Sequence, residues 1–360
     1  MPTPITSSTF TQLQKAFKGD LVTPEHPNYE DAIKRCTVRV DEEKKLAYIG
    51  GGALWETVDK TAIQYGLATT AGTINHTGVG GLTLGGGFGY LAAQHGLVID
   101  NLVQATVVIA DGTTLTASSE ENEDLFWAIR GGGSNFGVCA EFVLKLHPQR
   151  RTVFAGAVTF PPHALEQLTA VLADKFKRGL GEKETLFELL TLGPDGKNDK
   201  FYHGGNYYMK HVYQPAPDFA TAQKITDHLT DFATQHDIKI LFLHEFWGNK
   251  ICSVPVGAMA FNRIRDLGCL IVVTYKDNTE EGLEVARMVA KELANIASGT
   301  LEDGRPGSEK IGYSGFTSEI MTTAQSKALF GDNYKRMQVL KKKYDPDMVF
   351  SKWYSIVPAA

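Results

Sequence analysis

The sequence is poor in cysteine and lacks any long apolar run. Its four cysteines, Cys36, Cys139, Cys252 and Cys269, form no C-x-x-C pair and its ten histidines are dispersed, so we expect reduced thiols and no metal site. No stretch of about 18 apolar residues is present, which argues against a transmembrane helix. The first residues lack the basic cluster and apolar stretch of a secretory signal, so we expect a cytoplasmic protein.

An excess of positive charge is also missing. Lys and Arg number 36 against 41 Asp and Glu, a formal net charge of −5, which gives no support to a nucleic-acid or anionic-membrane partner. Because 43% of the residues are hydrophobic and 21% are charged, the composition is that of a folded protein and excludes a disordered one. The 360 residues suffice for one large domain or two of medium size.

Glycine, in contrast, is abundant and clustered. The 36 glycines include three clusters, at 50–52, 78–89 and 131–137, all of which precede residue 150. Between the clusters, the apolar spacing predicts a helix over 54–63, a hairpin over 104–117 and a helix over 125–130. A strand-like run ends at His147 and Pro148, where we place a domain boundary.

The second half predicts an α+β arrangement, with one antiparallel sheet and helices on one face. Apolar periodicity predicts helices over 165–176, 219–232, 283–296 and 334–344. The strand candidates are 154–160, 186–192, 202–209, 238–247 and 269–275. We interpret the Lys341-Lys342-Lys343 run as a solvated helix end.

The second glycine cluster needs a physical reason, since glycine inside regular structure costs about 0.5–1 kcal/mol relative to alanine. Consecutive N–H groups without side chains bind a pyrophosphate, but tight turns also use glycine. The G-x-G-x-x-G fingerprint fails because position 83 is Thr, and Gly87-x-Gly89-x-x-Ala92 meets only the looser form with no strand before it. No P-loop is present. From composition alone, the cofactor loop and the structural turn are equally supported.

The detailed string decides between them. Residues 71–91, AGTINHTGVGGLTLGGGFGYL, resemble the flavin-binding loop of berberine-bridge-enzyme-like oxidases in the vanillyl-alcohol-oxidase and p-cresol-methylhydroxylase superfamily. The resemblance continues through HGLVIDNL at 95–102, DLFWAIRGGG at 124–133 and NFGV at 135–138. Near the C-terminus, KYDPD at 343–347 and VFSKW at 349–353 resemble the closing motif of the same family.

This resemblance implies a p-cresol-methylhydroxylase-type FAD-binding domain and an antiparallel-sheet substrate domain. We expect a partial FAD-binding domain at 1–148, a substrate domain at 149–325 and a closing segment at 326–360 that returns to the FAD domain. By resemblance, the residues that contact FAD are Thr77, Gly78, Gly80, Gly81, Thr83, Gly85, Gly86, Gly87, Gly137, Val138 and Trp353.

The chain also departs from the family. Residues 17–22 and 28–29 look like the family's opening, and Val38-Arg39-Val40-Asp41 looks like the segment after its first subdomain, but the several dozen residues usual between them are missing. Those residues normally supply a βαβ subdomain and the R-G-G-G-H loop whose histidine tethers the flavin. A cysteine is the other residue that tethers the flavin in the family, and its position falls near Ile74 in this sequence, so it is absent. We therefore expect any bound FAD to be non-covalent.

Flavin oxidation needs a group that accepts the substrate proton. The candidates are Tyr207, Glu245 and Tyr313, each of which has a structural alternative: sheet packing for the tyrosines, or an ion pair with Lys250 for Glu245. Tyr207 and Tyr208 should face opposite sides of a strand, and burial of Glu245 would suit a base. Tyr313 opens a Tyr-Ser-Gly-Phe stretch where the family commonly has Tyr-x-Asn-Tyr.

The resemblance implies an FAD-dependent oxidoreductase that transfers hydride from a small-molecule substrate of specialised metabolism to flavin, with molecular oxygen as acceptor. The missing subdomain keeps two alternatives open: a cofactor-free binding protein and a non-redox cyclase. Loss of the subdomain should also expose apolar residues such as Trp55, Val58 and those at 107–109. That exposure would favour poor solubility or a homodimer.

Overall fold

Two antiparallel sheets organise the chain in the computed structural model. The structure describes residues 37–191, 205–246, 248–264, 266–276, 278–299 and 311–360, together with residues 11, 15, 23–27 and 29. The chain divides into two units, Met1–Cys36 and Thr37–Ala360. In the first unit, a turn is closed by the His26 N–H, which donates to the Thr23 carbonyl. The family-like opening at 17–22 and the junction at 35–36 lie outside the described residues.

The elements of the second unit follow in this order. The first half contains β1 (Val38–Asp41), β2 (Leu46–Gly50), α1 (Trp55–Ala62), β3 (Leu67–Ala68), α2 (Val79–Gly85), α3 (Ala92–His95), β4 (Leu102–Val108), β5 (Thr114–Ser118), α4 (Glu123–Ile129), β6 (Val138–Lys145) and β7 (His147–Pro148). The second half contains α5 (Leu165–Arg178), β8 (Leu186–Thr191), β9 (Asn206–Gln214), α6 (Phe219–Gln235), β10 (Ile238–Phe246), β11 (Leu267–Tyr275), α7 (Glu280–Ser298), α8 (Thr323–Phe330) and α9 (Asn333–Tyr344).

The first sheet has the strand order β1-β2-β6-β4-β5, with every neighbouring pair antiparallel. Its hydrophobic core contains Trp55, Phe142 and Phe136 from the first half. Tyr334, Met337 and other residues of the C-terminal segment pack into the same core. The end of the chain is therefore part of the structure around the first sheet.

The second sheet has the order β8-β10-β11-β9 and is also antiparallel throughout. Helices α5, α6 and α7 contribute to one core with this sheet, which contains Phe242 and Ile271 from the strands and Leu229 and Leu293 from the helices. The α+β fold with helices on one sheet face is thus confirmed. The predicted start of α6 is confirmed as well, because the Asp218 carboxylate caps the helix and accepts the Thr221 N–H at 2.9 Å.

Several local expectations are wrong. Residues 154–160 form no strand; they have no regular secondary structure and are exposed, Phe154 completely so. Part of the second glycine cluster is the helix α2 and not a loop. Trp55, Val58 and Val107 are fully buried, because the first sheet and α1 pack them within this chain. These three residues therefore give no reason to expect a homodimer.

The lysine run also differs from expectation. Lys341 is completely buried, and its ammonium donates to the Asn135 carbonyl (2.7 Å), the Asp345 carboxylate (2.6 Å) and the Phe350 carbonyl (2.7 Å). All three donors are used, so the charge is neutralised and hydrogen-bonded inside the protein. Lys341 thereby joins the third glycine cluster to the C-terminal segment. Lys342, the next residue, is exposed.

The pKa values of the pair reflect this burial. Desolvation lowers the pKa of Lys341, an effect that its hydrogen bond to Asp345 only partly opposes. For Asp345, burial acts to raise the pKa, but the hydrogen bonds from Lys341 and from the N–H groups of Phe350 and Val349 together outweigh it and hold the pKa below its ordinary value. The carboxylate therefore stabilises the fold above the usual Asp pKa of about 3.9, and this contribution is lost as the pH falls through the lower folded-state value.

We predict that Lys341→Met lowers the free energy of unfolding by about 3–5 kcal/mol at neutral pH, because it leaves a buried carboxylate without its cation. The matched control, Lys342→Met, should change it by less than about 0.5 kcal/mol. Denaturant unfolding at several pH values is the measurement. The gap between Lys341→Met and the wild type should narrow in acid, where Asp345 is protonated. Equal stability of the two variants at neutral pH would contradict this account.

Candidate active site

The second glycine cluster builds α2 and the turn that follows it. Two glycines after the helix have positive φ, Gly86 at +123° and Gly87 at +80°, a region that favours glycine. A Cβ at Gly86 would lie 2.7 Å from the Phe261 ring. These two glycines are therefore required by the fold itself.

The start of α2 packs closely against the first sheet. A Cβ at Gly80 would lie 2.8 Å from the carbonyl oxygen of Gly51, and the Gly51 N–H donates to the Ala140 carbonyl at 2.8 Å. Ala140 and Val138 are both exposed and lie on the same face of β6. The N-terminal half of α2 is thus adjacent to the exposed end of β6, and we call Gly78, Gly81, Val138 and Ala140 the glycine wall.

Two glycines of this wall have room for a side chain. A Cβ at Gly78 or Gly81 would meet nothing within 4 Å, and neither residue has positive φ. Gly81 lies within a helix, where glycine is unfavourable relative to alanine. Beside them, Val138 is 59% exposed although it is apolar. Such a surface of open backbone and exposed valine fits a large cofactor that lies against it, so the residues present fit FAD on this side.

The other residues implied by the resemblance are more enclosed. Thr83 and Gly85 are buried within α2, and the Thr83 hydroxyl has no partner among the described residues. The Thr77 carbonyl accepts the Trp55 N–H at 3.1 Å, which fixes the entry into the helix. A Cβ at Gly137, where φ is +155°, would lie 2.6 Å from the Val108 carbonyl oxygen. Only part of the predicted set therefore faces open space.

Tyr313 connects the glycine segment to the second sheet. Its hydroxyl oxygen accepts the Gly87 N–H at 3.0 Å, and its own N–H donates to Nδ1 of His211 at 3.0 Å. Gly85 is also close to the Tyr313 side chain, since a Cβ at Gly85 would lie 3.6 Å from the Tyr313 hydroxyl. Burial raises the pKa of the Tyr313 phenol well above its ordinary value, although the bond from Gly87 acts to lower it. Tyr313 is thus a neutral phenol and a poor base.

His211 in turn faces Glu245. Because Nδ1 of His211 accepts the Tyr313 N–H, a neutral His211 carries its proton on Nε2. That Nε2 lies 3.4 Å from Oε2 of Glu245, and neither atom has another partner among the described residues. Both side chains are almost completely buried, at 4% and 2% exposure. A buried carboxylate with an oxygen left for a further partner is the arrangement of a proton acceptor.

The sequence did not identify His211. Strand register in the second sheet is what places it next to Glu245. Glu245 pairs with Gly268, and Gly268 pairs with Tyr213, so His211 is one row away on the same face. Phe316 stacks on the His211 ring with centroids 5.8 Å apart. Gly312 also lies against this ring, since a Cβ there would lie 2.0 Å from Nδ1 of His211.

Two sequence candidates lie away from this cluster. Tyr207 is half-exposed and four residues from His211 along β9, about 13 Å at strand spacing. As predicted, Tyr207 and Tyr208 face opposite sides, since Tyr208 is in the core with the helices. The Trp353 side chain is 47% exposed, and its carbonyl accepts the Met321 N–H. Tyr313 and Glu245 are the catalytic candidates that the structure brings together.

Comparison with known proteins gives the family. A model described as FAD binding domain matches residues 31–118, and one described as berberine and berberine like matches residues 312–356. The FAD-linked oxidoreductase pgmH of Aspergillus terreus is 31% identical over 384 aligned positions, which cover 89% of this chain and 77% of that protein. The chain belongs to the berberine-bridge-enzyme-like FAD-linked oxidoreductases. The alignment with pgmH has more positions than this oxidoreductase has residues, so pgmH contains segments that are missing here.

Solved structures show the same fold. The 6-hydroxy-D-nicotine oxidase of Arthrobacter nicotinovorans has a TM-score of 0.73 at 24% identity, covering 90% of this chain and 81% of that one. The glucooligosaccharide oxidase of Acremonium strictum has a TM-score of 0.74 at 22% identity, covering 91% and 80%. That oxidase carries a 6-S-cysteinyl, 8α-N1-histidyl FAD. Among the described residues of our oxidoreductase, no helix is long and apolar enough to cross a membrane.

The glycine wall gives a test that separates cofactor binding from folding. Gly81→Ala places a methyl group in open space and should leave the protein as stable or more stable by up to about 1 kcal/mol, since alanine favours helix. If FAD lies on the wall, the same methyl group should weaken FAD binding at least tenfold. Thermal unfolding and FAD titration are the two measurements.

Gly156→Ala is the matched control, because a Cβ at that exposed position also meets nothing within 4 Å. It should change neither quantity. Substitution of Gly80 or Gly86 is less informative, since both would disturb the fold through Gly51 and Phe261. Wild-type FAD affinity in Gly81→Ala would rule the wall out as the cofactor surface.

Proposed function

We propose that this oxidoreductase oxidises a small molecule of specialised metabolism, with Glu245 as the acceptor of the substrate proton. The observation that carries the proposal is the buried, unpartnered Oε2 of Glu245 at the end of the Gly87–Tyr313–His211 connection. FAD, when bound, supplies the hydride acceptor and passes the electrons on to oxygen. The protein residues bind and orient the substrate and remove its proton.

The roles of the chain's own residues follow from their contacts. Glu245 takes the proton from the hydroxyl or amine group of the substrate, while the Nε2–H of His211 faces the carboxylate at 3.4 Å. Tyr313 holds His211 in this tautomer through its N–H and remains a neutral phenol near the reacting group. The dry surroundings strengthen each of these polar interactions.

We also propose that different parts of the chain bind the cofactor and the substrate. The expected FAD-binding residues at 77–87 and 137–138, together with Trp353, would hold the cofactor, and residues 149–325 would hold the substrate. Support for a boundary near 148 and for a C-terminal return comes from the separate cores: one around the first sheet includes the C-terminal segment, and another contains the second sheet with its helices.

A ligand-binding protein without turnover is the second candidate. It is favoured by the segments of pgmH that this chain lacks, since the expected partner wall of the flavin belongs to the missing subdomain. The intact connection from Gly87 to Glu245 favours the enzyme, because a mere binding protein has no need of a buried carboxylate with an open oxygen. Turnover, measured in wild type, Glu245→Gln and Glu188→Gln, distinguishes the enzyme from the binding protein.

We expect the cofactor to be held without a covalent bond, because Ile74 stands where a tethering cysteine would be and the histidine loop is missing. Acid precipitation of the FAD-loaded protein should release all of the yellow colour into the supernatant. The glucooligosaccharide oxidase, whose FAD is attached through cysteine and histidine, is the positive control. Colour retained in the washed pellet of this chain would show a covalent link.

Glu245→Gln should slow anaerobic flavin reduction by a reducing substrate about 10²–10⁴-fold, the usual contribution of a general base, without changing the amount of bound FAD. Glu188→Gln is the control: Glu188 is also a buried carboxylate, but it lies on the opposite face of the sheet and pairs with His244. That variant should reduce flavin at nearly the wild-type rate. Equal rates for wild type and Glu245→Gln would remove Glu245 from the mechanism.

A further inference from the structure

Two histidine rings stack on each other between α3 and β7. His95 ends α3 and His147 begins β7, and their ring planes lie 7° apart with centroids separated by 3.7 Å. The strand β7 is paired with β3, where Ala68 lies opposite His147. Both histidines are half-buried, so protons from the solvent reach them. We call His95 and His147 the histidine pair.

One member of the pair completes the hydrogen bonds of a buried amide. The side-chain nitrogen of Asn101 lies 2.9 Å from the Leu97 carbonyl oxygen and 3.1 Å from that of His95. Because this nitrogen only donates, the amide oxygen Oδ1 is the acceptor, and it lies 2.7 Å from Nε2 of His147. A neutral His147 therefore carries its proton on Nε2. Asn101 is 2% exposed, so loss of this donor would leave a buried oxygen without a partner, which is unfavourable.

The turn at 97–101, which Asn101 organises, supports the glycine segment after α2. The Val98 N–H donates to the Gly87 carbonyl at 2.9 Å. The next N–H, that of Ile99, donates to the Gly86 carbonyl at 3.1 Å. The histidine pair is therefore connected to the glycine segment through one amide side chain and one short turn.

The surroundings of the pair oppose a positive charge on either ring. Burial lowers the pKa of His147 to about 4, and the other ring acts in the same direction. Burial also lowers the pKa of His95. Two charged rings at stacking distance would in addition repel each other. The charged groups that face the pair are three cations, which disfavour protonation, and one carboxylate, which favours it: Lys45 and Lys145 beside His147, and Lys250 and Glu182 beside His95.

Protonation therefore favours a form of the protein in which the two rings have separated. A solvent-exposed histidine has a pKa of about 6.5. Because the pKa of the stacked His147 is about 4, the separated form takes up protons that the stacked form does not. The stacked form is thus most stable above the exposed-histidine pKa, and it loses stability relative to the separated form as the pH falls toward the pKa of the stacked ring.

We infer that the histidine pair is a pH-dependent clamp, which holds the turn at 97–101 against Gly86 and Gly87 at neutral pH and releases it in mild acid. Release would remove two of the hydrogen bonds that hold the glycine segment next to Tyr313. The clamp acts within this chain, and neither FAD nor substrate is part of it.

Hydrogen exchange of the purified protein between pH 7 and pH 5 tests the clamp, with each rate corrected for the intrinsic effect of pH on exchange. The opening constant at the N–H groups of Val98 and Ile99 should rise about tenfold over this range, the linkage expected after allowance for the partial exposure of the rings. The Ile271 N–H in the central strand β11 should keep its opening constant, because the clamp opens locally.

Three variants assign the effect to the pair. His147→Gln keeps a side-chain N–H for Asn101 but cannot become charged, so the rise between pH 7 and pH 5 should fall to less than about twofold. His95→Gln should reduce the rise only in part, since the burial of His147 remains. His163→Gln is the control, because His163 is an exposed histidine just before α5 and is not part of the pair; it should keep the wild-type rise.

A measurement on the wild type needs no variant. NMR titration of the ring protons should give a pKa of about 4 for His147. A His147 pKa near the ordinary value, an opening constant at 98–99 that does not change with pH, or an equal rise in wild type and His147→Gln would each overturn the inference. A parallel rise at Ile271 would show that acid unfolds the whole protein, and that result would overturn it too.

Discussion

The two hydrogen bonds of Tyr313 are the interaction on which the rest of the site depends. One fixes the turn after α2 through the Gly87 N–H, and the other fixes the tautomer of His211 on the second sheet. The glycine segment and the sheet are far apart in sequence, and this residue links them through its two hydrogen bonds. The orientation of Glu245 follows from it, because His211 is the group that faces the carboxylate.

The sequence could predict much of the fold, because local chemistry determines it. The apolar spacing located α5, α6, α7 and α9 but not α8, and α6 begins where predicted because Asp218 caps it. Residues 154–160 show the limit of such patterns: their composition favours a strand, but a strand needs a neighbouring strand, which the described residues do not provide. Lys341 shows a second limit of sequence patterns. Its burial could not be predicted, because a buried charge depends on carbonyl and carboxylate partners that only the fold brings to it.

The site was predictable only where it consists of one continuous segment. Resemblance identified the glycines of 77–87, but it could not separate Gly86, which the fold requires, from Gly81, which faces open space. His211 could not be found at all, because its role arises from the register of β9, β11 and β10. The glycine wall faces open space at Gly78 and Gly81, and the core beside it is intact, with Trp55 and Val107 buried.

The central claim is that this remaining half still forms a specific flavin site. Titration of flavin-free protein with FAD, followed by visible absorbance and by hydrogen exchange, tests it most directly. The account predicts a saturable one-to-one change in the flavin spectrum, with slowed amide exchange at residues 78–81 and 138–140. A folded protein whose flavin spectrum and amide exchange stay unchanged up to millimolar FAD would contradict it.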